Sequence, residues 1–151
     1  MKELLFGTAG IPISAKGFGT EEGIAEVRNL DLDAMELEFV RNINITKQKA
    51  PDVKKAAEKN NIVLTCHAPY FINLNSAEKA KLKASIDRIL NSARIANLCG
   101  AWSVVFHAGF YQKSAKEETY NGIRNSIKEI IQKLKNENNN VWIRPETTGK
   151  E

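Results

Sequence analysis

The sequence predicts a parallel α/β fold of about four βα units followed by a fifth strand. Three observations carry this. Short apolar or alternating runs recur along the chain, a segment of helical periodicity follows each of the first four, and Gly, Asn or Pro punctuates the joins. Repetition of this kind makes βαβ crossovers, whose product is either a closed barrel or an open doubly wound sheet.

The elements follow in order. Residues 4–7 are a short apolar run, the glycine-rich stretch 8–19 is a loop, and Thr20 is placed to N-cap a helix through residue 30. Met35-Glu36-Leu37-Glu38-Phe39 alternates strictly, the mark of a strand, and the loop 42–51 leads into helical residues 52–59. Residues 62–66 form the third strand. After the loop 68–76, a longer helix carries Leu82, Ile86, Ile89, Leu90 and Ala93 on one face and stops at Gly100, a C′ glycine. Residues 103–106 are the fourth strand. Ser114-Ala115-Lys116-Glu117 reads as a capping box opening a helix whose buried stripe is Tyr120, Ile123, Ile127, Ile130, Ile131 and Leu134. Asn138-Asn139-Asn140 ends it, and residues 141–143 begin the fifth strand.

With 151 residues, 42% of them hydrophobic, the chain fits a single unit with one core. A complete eight-unit barrel takes ~250 residues, so residues 1–151 are expected to be a portion of one, cut in mid-fold. Lys and Arg number 22 against 18 Asp and Glu, a net charge of +4 that suits a polyanionic partner without selecting one. Cys66 and Cys99 are too few for a disulfide scaffold and read as buried thiols of a reducing compartment. No apolar run approaches the ~18 residues that span a bilayer, and Met1-Lys2-Glu3 opens without a signal pattern. A cytoplasmic protein without a membrane segment is the expectation. Gly17-Phe18-Gly19 reads as turn chemistry, and Lys47, Lys49, Lys54, Lys55 and Lys59 as a solvated outer face.

The chemistry gathers at strand ends. His67 follows the third strand, His107 the fourth and Glu146 the fifth, and in parallel α/β folds that end of the strands collects functional groups. One histidine at a strand end is most often an ordinary satisfied polar residue. Two imidazoles and a carboxylate from three neighbouring strands make a zinc-type ligand set. Strand alternation turns Cys66 away from His67. The same alternation turns Glu36 and Glu38 toward the strand-lined interior, where Arg144, two residues before Glu146, is expected to neutralise them.

His67-Ala68-Pro69-Tyr70-Phe71-Ile72-Asn73-Leu74, Phe106-His107-Ala108-Gly109 and Pro145-Glu146-Thr147-Thr148-Gly149 resemble three consecutive signature segments of the endonuclease IV family, in the family's order. Phe6-Gly7-Thr8-Ala9-Gly10-Ile11-Pro12 and Met35-Glu36-Leu37-Glu38-Phe39-Val40 are similar to its archaeal-like branch. The resemblance spans essentially the whole chain. It implies the N-terminal portion of a (β/α)8 TIM barrel of the xylose-isomerase-like superfamily, a hydrolase of DNA repair that cleaves the backbone 5′ to abasic sites. It further implies a cluster of three zinc ions, with His67 and His107 holding one and Glu146, the catalytic carboxylate, bridging it to a second. The remaining ligands would come from strands beyond the fifth, so these residues are expected to be inactive alone. The implied partner is double-stranded DNA with abasic sites. Tyr70 and Phe71 would stack or wedge beside the lesion, and Arg41 would contact DNA from the loop after the second strand.

Two other classes fit parts of the pattern. A xylose-isomerase-like sugar isomerase or epimerase also places a metal-binding glutamate at a strand end, although the paired histidines followed by Tyr70 and Asn73 favour the nuclease. A non-catalytic half-barrel would expose two strand edges and an apolar layer, and would associate with itself or with its missing half.

Overall fold

The computed structural model describes residues 4–147. Five strands form one sheet in the order β1-β2-β3-β4-β5, each parallel to the next. They are β1 (Gly7–Ala9), β2 (Ala34–Glu38), β3 (Val63–His67), β4 (Ser103–His107) and β5 (Trp142–Glu146). Between them run α1 (Thr20–Asn29), α2 (Ala50–Asn60), α3 (Lys79–Leu98) and α4 (Lys116–Asn136). The partial barrel of four βα units and a fifth strand is therefore the fold. β1 and β5 stand at the two edges.

One face of the sheet carries the core. Met35, Leu37, Leu64, Cys66, Val104 and Phe106 are buried there with Ile24 and Val27 of α1, Val53 of α2, Ile89 of α3 and Ile130 of α4. Alternation sends every second side chain to the opposite face, where Glu38 pairs in register with His67, His67 with Val105, Val105 with Arg144, and His107 with Glu146. Glu36 and Glu38 lie on this inner face as expected, and Glu36 Oε2 accepts a hydrogen bond from Thr65 Oγ1 at 3.3 Å.

Several local expectations give way to tertiary context. The first strand is Gly7–Ala9 rather than residues 4–7: Phe6 O accepts from the N–H groups of Asp33 and Ala34, and pairing starts only at Gly7, where a Cβ would collide with the Ala34 carbonyl. Gly19, not Thr20, is the N-cap of α1, with Glu21 and Glu22 in the first turn facing the positive end of the helix. The capping box at Ser114 does not form. Ser114 N–H instead closes a turn onto Tyr111 O, and α4 begins after Ala115 without a side-chain cap. In α4, Ile130 and Leu134 are buried, but Tyr120 is 62% exposed and Ile131 is also at the surface. α4 packs against α3, and among the described residues no other helix packs as closely against it. Gly100 follows α3 at φ +76, a left-handed geometry that suits a C′ glycine.

Arg144 does not neutralise the acidic pair. Its guanidinium lies 4.1 Å from the centre of the Trp102 ring and 5.9 Å from that of Trp142, and among the described residues it makes no ion pair with Glu36 or Glu38. Three strand spacings, about 14 Å, separate β5 from β2 along the sheet, whereas the aromatic surface is adjacent. Burial, and then the neighbouring Glu36, hold the Glu38 carboxyl above the usual range, and His67 offsets part of that. Burial also raises both thiols, Cys99 to about 12, so neither Cys66 nor Cys99 offers a reactive thiolate. No helix of the described residues is long and apolar enough to cross a membrane.

Candidate metal centre

His67, His107 and Glu146 are the last residues of β3, β4 and β5, so three parallel neighbours deliver them to one end of the sheet. Each offers one ligand atom, and these atoms all lie within 4.8 Å of one another. The Nε2 atoms of His67 and His107 stand 3.7 and 3.8 Å from the same carboxylate oxygen, Glu146 Oε2. Donors bound at 2.0–2.1 Å to one tetrahedral ion lie about 3.4 Å apart, so a small inward movement would close the set.

The tautomer of His67 suits this use. Its Nδ1 lies 2.7 Å from Ala68 O, an atom that can only accept, so Nδ1 carries a hydrogen and Nε2 is the ring nitrogen left to bind a cation in the gap. Metal-binding histidines characteristically donate their second ring N–H to a carbonyl or carboxylate in this way. His67 is 8% exposed, while the His107 and Glu146 side chains reach solvent, which leaves an approach open on one side. The residues present therefore fit a divalent cation with nitrogen and oxygen ligands.

Tyr70 stands over the pair of imidazoles. Its ring is edge-on to both, with centroids 5.4 Å from His67 and 5.8 Å from His107. Its backbone N–H donates to Val40 O at 3.1 Å, which brings the loop carrying Arg41 beside it. Phe71 is 63% exposed at the same rim, and Arg41 is exposed. The three DNA-contact candidates thus share the end of the sheet that carries the ligand set. Thr147 is the last described residue, so Thr148 and Gly149 of the third signature segment lie outside the described residues.

Residues the sequence reading passed over also stand at this rim. Phe110 and Tyr111 are partly exposed in the loop after His107, and Asn75 reaches that loop from the one after His67. The signal was available: Phe110-Tyr111 follows His107 much as Tyr70-Phe71 follows His67. Beside Glu146, a groove of about 440 Å³ runs between Tyr111, Tyr120, Ile123, Ile127 and Pro145.

Comparison with known proteins adds kinship to this geometry. The model of a family described as "Xylose isomerase-like TIM barrel" matches residues 24–151. An uncharacterized protein of Methanocaldococcus jannaschii is 46% identical over 147 residues, which are 97% of this chain and 52% of that protein. A protein of Mycoplasma genitalium named "Probable endonuclease 4" is 29% identical over 84 residues, 56% of this chain and 29% of its own. Among solved structures, endonuclease IV from Thermus thermophilus is similar with a TM-score of 0.58 at 19% identity, over 74% of this chain and 42% of that one. A D-tagatose 3-epimerase-like protein is similar with a TM-score of 0.72 at 15% identity, over 93% of this chain and 51% of that one. Likeness at such identities speaks for the fold. The chain spans about half the length of the Methanocaldococcus relative and less of the Mycoplasma one.

Proposed function

The chain belongs to the xylose isomerase-like TIM barrel family, and from that premise we propose that it is the N-terminal portion of a (β/α)8 barrel nuclease, metal-dependent and cleaving DNA 5′ to abasic sites. The observation that carries the reading is the convergence of two imidazoles and one carboxylate at the ends of β3, β4 and β5. His67 and His107 would hold one zinc ion, and Glu146 would be shared between it and a second. When bound, closely spaced divalent ions activate water and stabilise the oxygens of a phosphodiester under in-line attack. This chain's own residues bind and orient. Tyr70 and Phe71 offer aromatic faces for stacking at the rim, and Arg41 offers a guanidinium to a phosphate.

Sequence kinship supports the nuclease over a sugar epimerase. A protein named for endonuclease 4 is similar in sequence at 29% identity over 84 residues. The epimerase reading keeps one point in its favour, the broader structural overlap. Two buried, unpaired thiols suit a reducing, cytoplasmic setting.

Activity is proposed for the whole barrel, because the chain spans 52% of its Methanocaldococcus relative. Residues 1–151 alone are expected to bind abasic DNA weakly and to leave it uncut. The test is incision of a duplex with one abasic site, by residues 1–151 and by the same residues joined in frame to the relative's remaining half, with zinc supplied. Incision by the joined protein alone is expected. Epimerisation of a ketose without incision would overturn the reading in favour of the sugar enzyme.

A further inference from the structure

The loops that follow the two histidines are tied together by one side chain. Asn75 Nδ2 donates to Phe110 O at 2.8 Å and lies 3.3 Å from Thr119 Oγ1 and 3.4 Å from Tyr111 O. Those acceptors belong to the loop after β4 and the first turn of α4. An amide nitrogen carries two hydrogens, so Phe110 takes one and the other is shared between Thr119 and Tyr111.

Asn75 is itself fixed. Its backbone N–H donates to Asn73 Oδ1 at 2.9 Å, and the Asn73 N–H donates to Ser85 Oγ of α3 at 3.0 Å. Leu74 N–H adds a rung to Ala108 O at 2.9 Å. The loops pass so close that a Cβ on Gly109 would lie 2.6 Å from Asn73 Oδ1, and Gly109 has a φ of +148.

We propose that Asn75 is a positioning residue of the metal site, whose side-chain amide holds the loop after His107 against the loop after His67 and so sets the separation of the two imidazoles. The inference rests on the metal reading above. His67 is held by its burial and by its Nδ1 bond to Ala68 O. His107 leads directly into the tethered segment, with Ala108 and Phe110 held one and three residues after it. Metal–donor distances tolerate only about ±0.2 Å, so a loosened loop costs affinity although Asn75 touches no ion. Groups that orient ligands from behind are worth about 10–100-fold in metal affinity.

The test is the zinc affinity of the full chain, measured by competition with a chromophoric chelator, for wild type, Asn75→Ala, Asn75→Asp and Arg94→Ala. Aspartate keeps the shape of asparagine but cannot donate to Phe110 O when ionised. Arg94 pairs with Glu137 at 2.6 and 2.8 Å near the far ends of α3 and α4, so its loss reports on stability alone. Both Asn75 variants are expected to weaken zinc binding about tenfold, while Arg94→Ala lowers Tm and leaves zinc affinity within about twofold. Should Asn75→Ala fail to fold, Asn75→Leu, which keeps the bulk of the side chain but has no donor, replaces it. Zinc affinity within about twofold of wild type in the folded Asn75 variants overturns this inference alone. A wild-type chain that takes up no zinc overturns the metal reading and this inference with it.

Discussion

His67 Nε2 stands 3.7 Å from Glu146 Oε2, although the two residues sit on strands that do not touch. β4 lies between β3 and β5 and ends in His107, whose Nε2 is 3.8 Å from the same oxygen. The Glu146 side chain therefore leans over its neighbour to face both imidazoles.

The two histidines should differ in what they contribute to stability. In metal-free buffer His67→Ala removes a buried ring and its 2.7 Å bond to Ala68 O, and should cost about 1–3 kcal/mol. His107→Ala should cost less than about 1 kcal/mol, because that side chain is already partly exposed. Chelator-treated denaturant melts would measure both, and equal losses would contradict the asymmetry.

Glu38 should make the fold sensitive to mild acid in the unusual direction. Its carboxyl is held above 4.5, chiefly by burial, so the folded state favours its protonated form. The Glu38 contribution to stability is then greatest below the unfolded value and declines as pH rises through 4.5 toward the folded value. Glu38→Gln, neutral throughout, should raise Tm at pH 7 relative to wild type and lose that advantage below about pH 4. Partial exposure screens the effect, so the gain is small. A variant less stable than wild type at pH 7 would contradict it.

Tyr70→Ala should separate recognition from metal binding. Loss of a stacking face costs about 1–3 kcal/mol per base, so affinity for a duplex bearing an abasic analogue should fall roughly tenfold by fluorescence anisotropy. Zinc stoichiometry should be unchanged, since the ring contacts the imidazoles edge-on and offers them no ligand bond. Unchanged DNA affinity would remove Tyr70 from the interface.

The exposed layer predicts association. β1 and β5 are edge strands, Trp142 on β5 is 64% exposed, and Tyr120 and Ile131 of α4 are 62% and 36% exposed. Such edges and apolar surface recruit partners, so residues 1–151 should self-associate at high concentration or pair with a polypeptide that supplies the rest of the barrel. Sedimentation as a stable monomer at high concentration would argue against it.

What the sequence made legible, and what it hid, has a physical pattern. The alternation in Met35-Glu36-Leu37-Glu38-Phe39 was readable because the two faces of β2 meet different surroundings, core and interior. His67, His107 and Glu146 were readable because strand ends in a parallel sheet converge. The Ser114 cap was not, because a local motif lost to the turn that Tyr111 closes. Tyr120 and Ile131 have the right spacing for a stripe, but periodicity says nothing about which neighbour is present. Arg144 was assigned to the correct face and the wrong partner, since its contact with Trp102 depends on what stands beside β5 rather than on alternation. Tyr70 lying against both imidazoles depends on how a loop folds back, which no spacing encodes.

The central claim is that His67, His107 and Glu146 hold one divalent ion, and zinc stoichiometry tests it most directly. Purified residues 1–151, stripped with chelator and titrated with zinc by calorimetry, should take up one tightly bound ion per chain. Uptake should be lost in His107→Ala while the circular-dichroism spectrum is retained. A wild-type chain that binds no zinc, or a His107→Ala chain that binds it as tightly as wild type, would contradict the account.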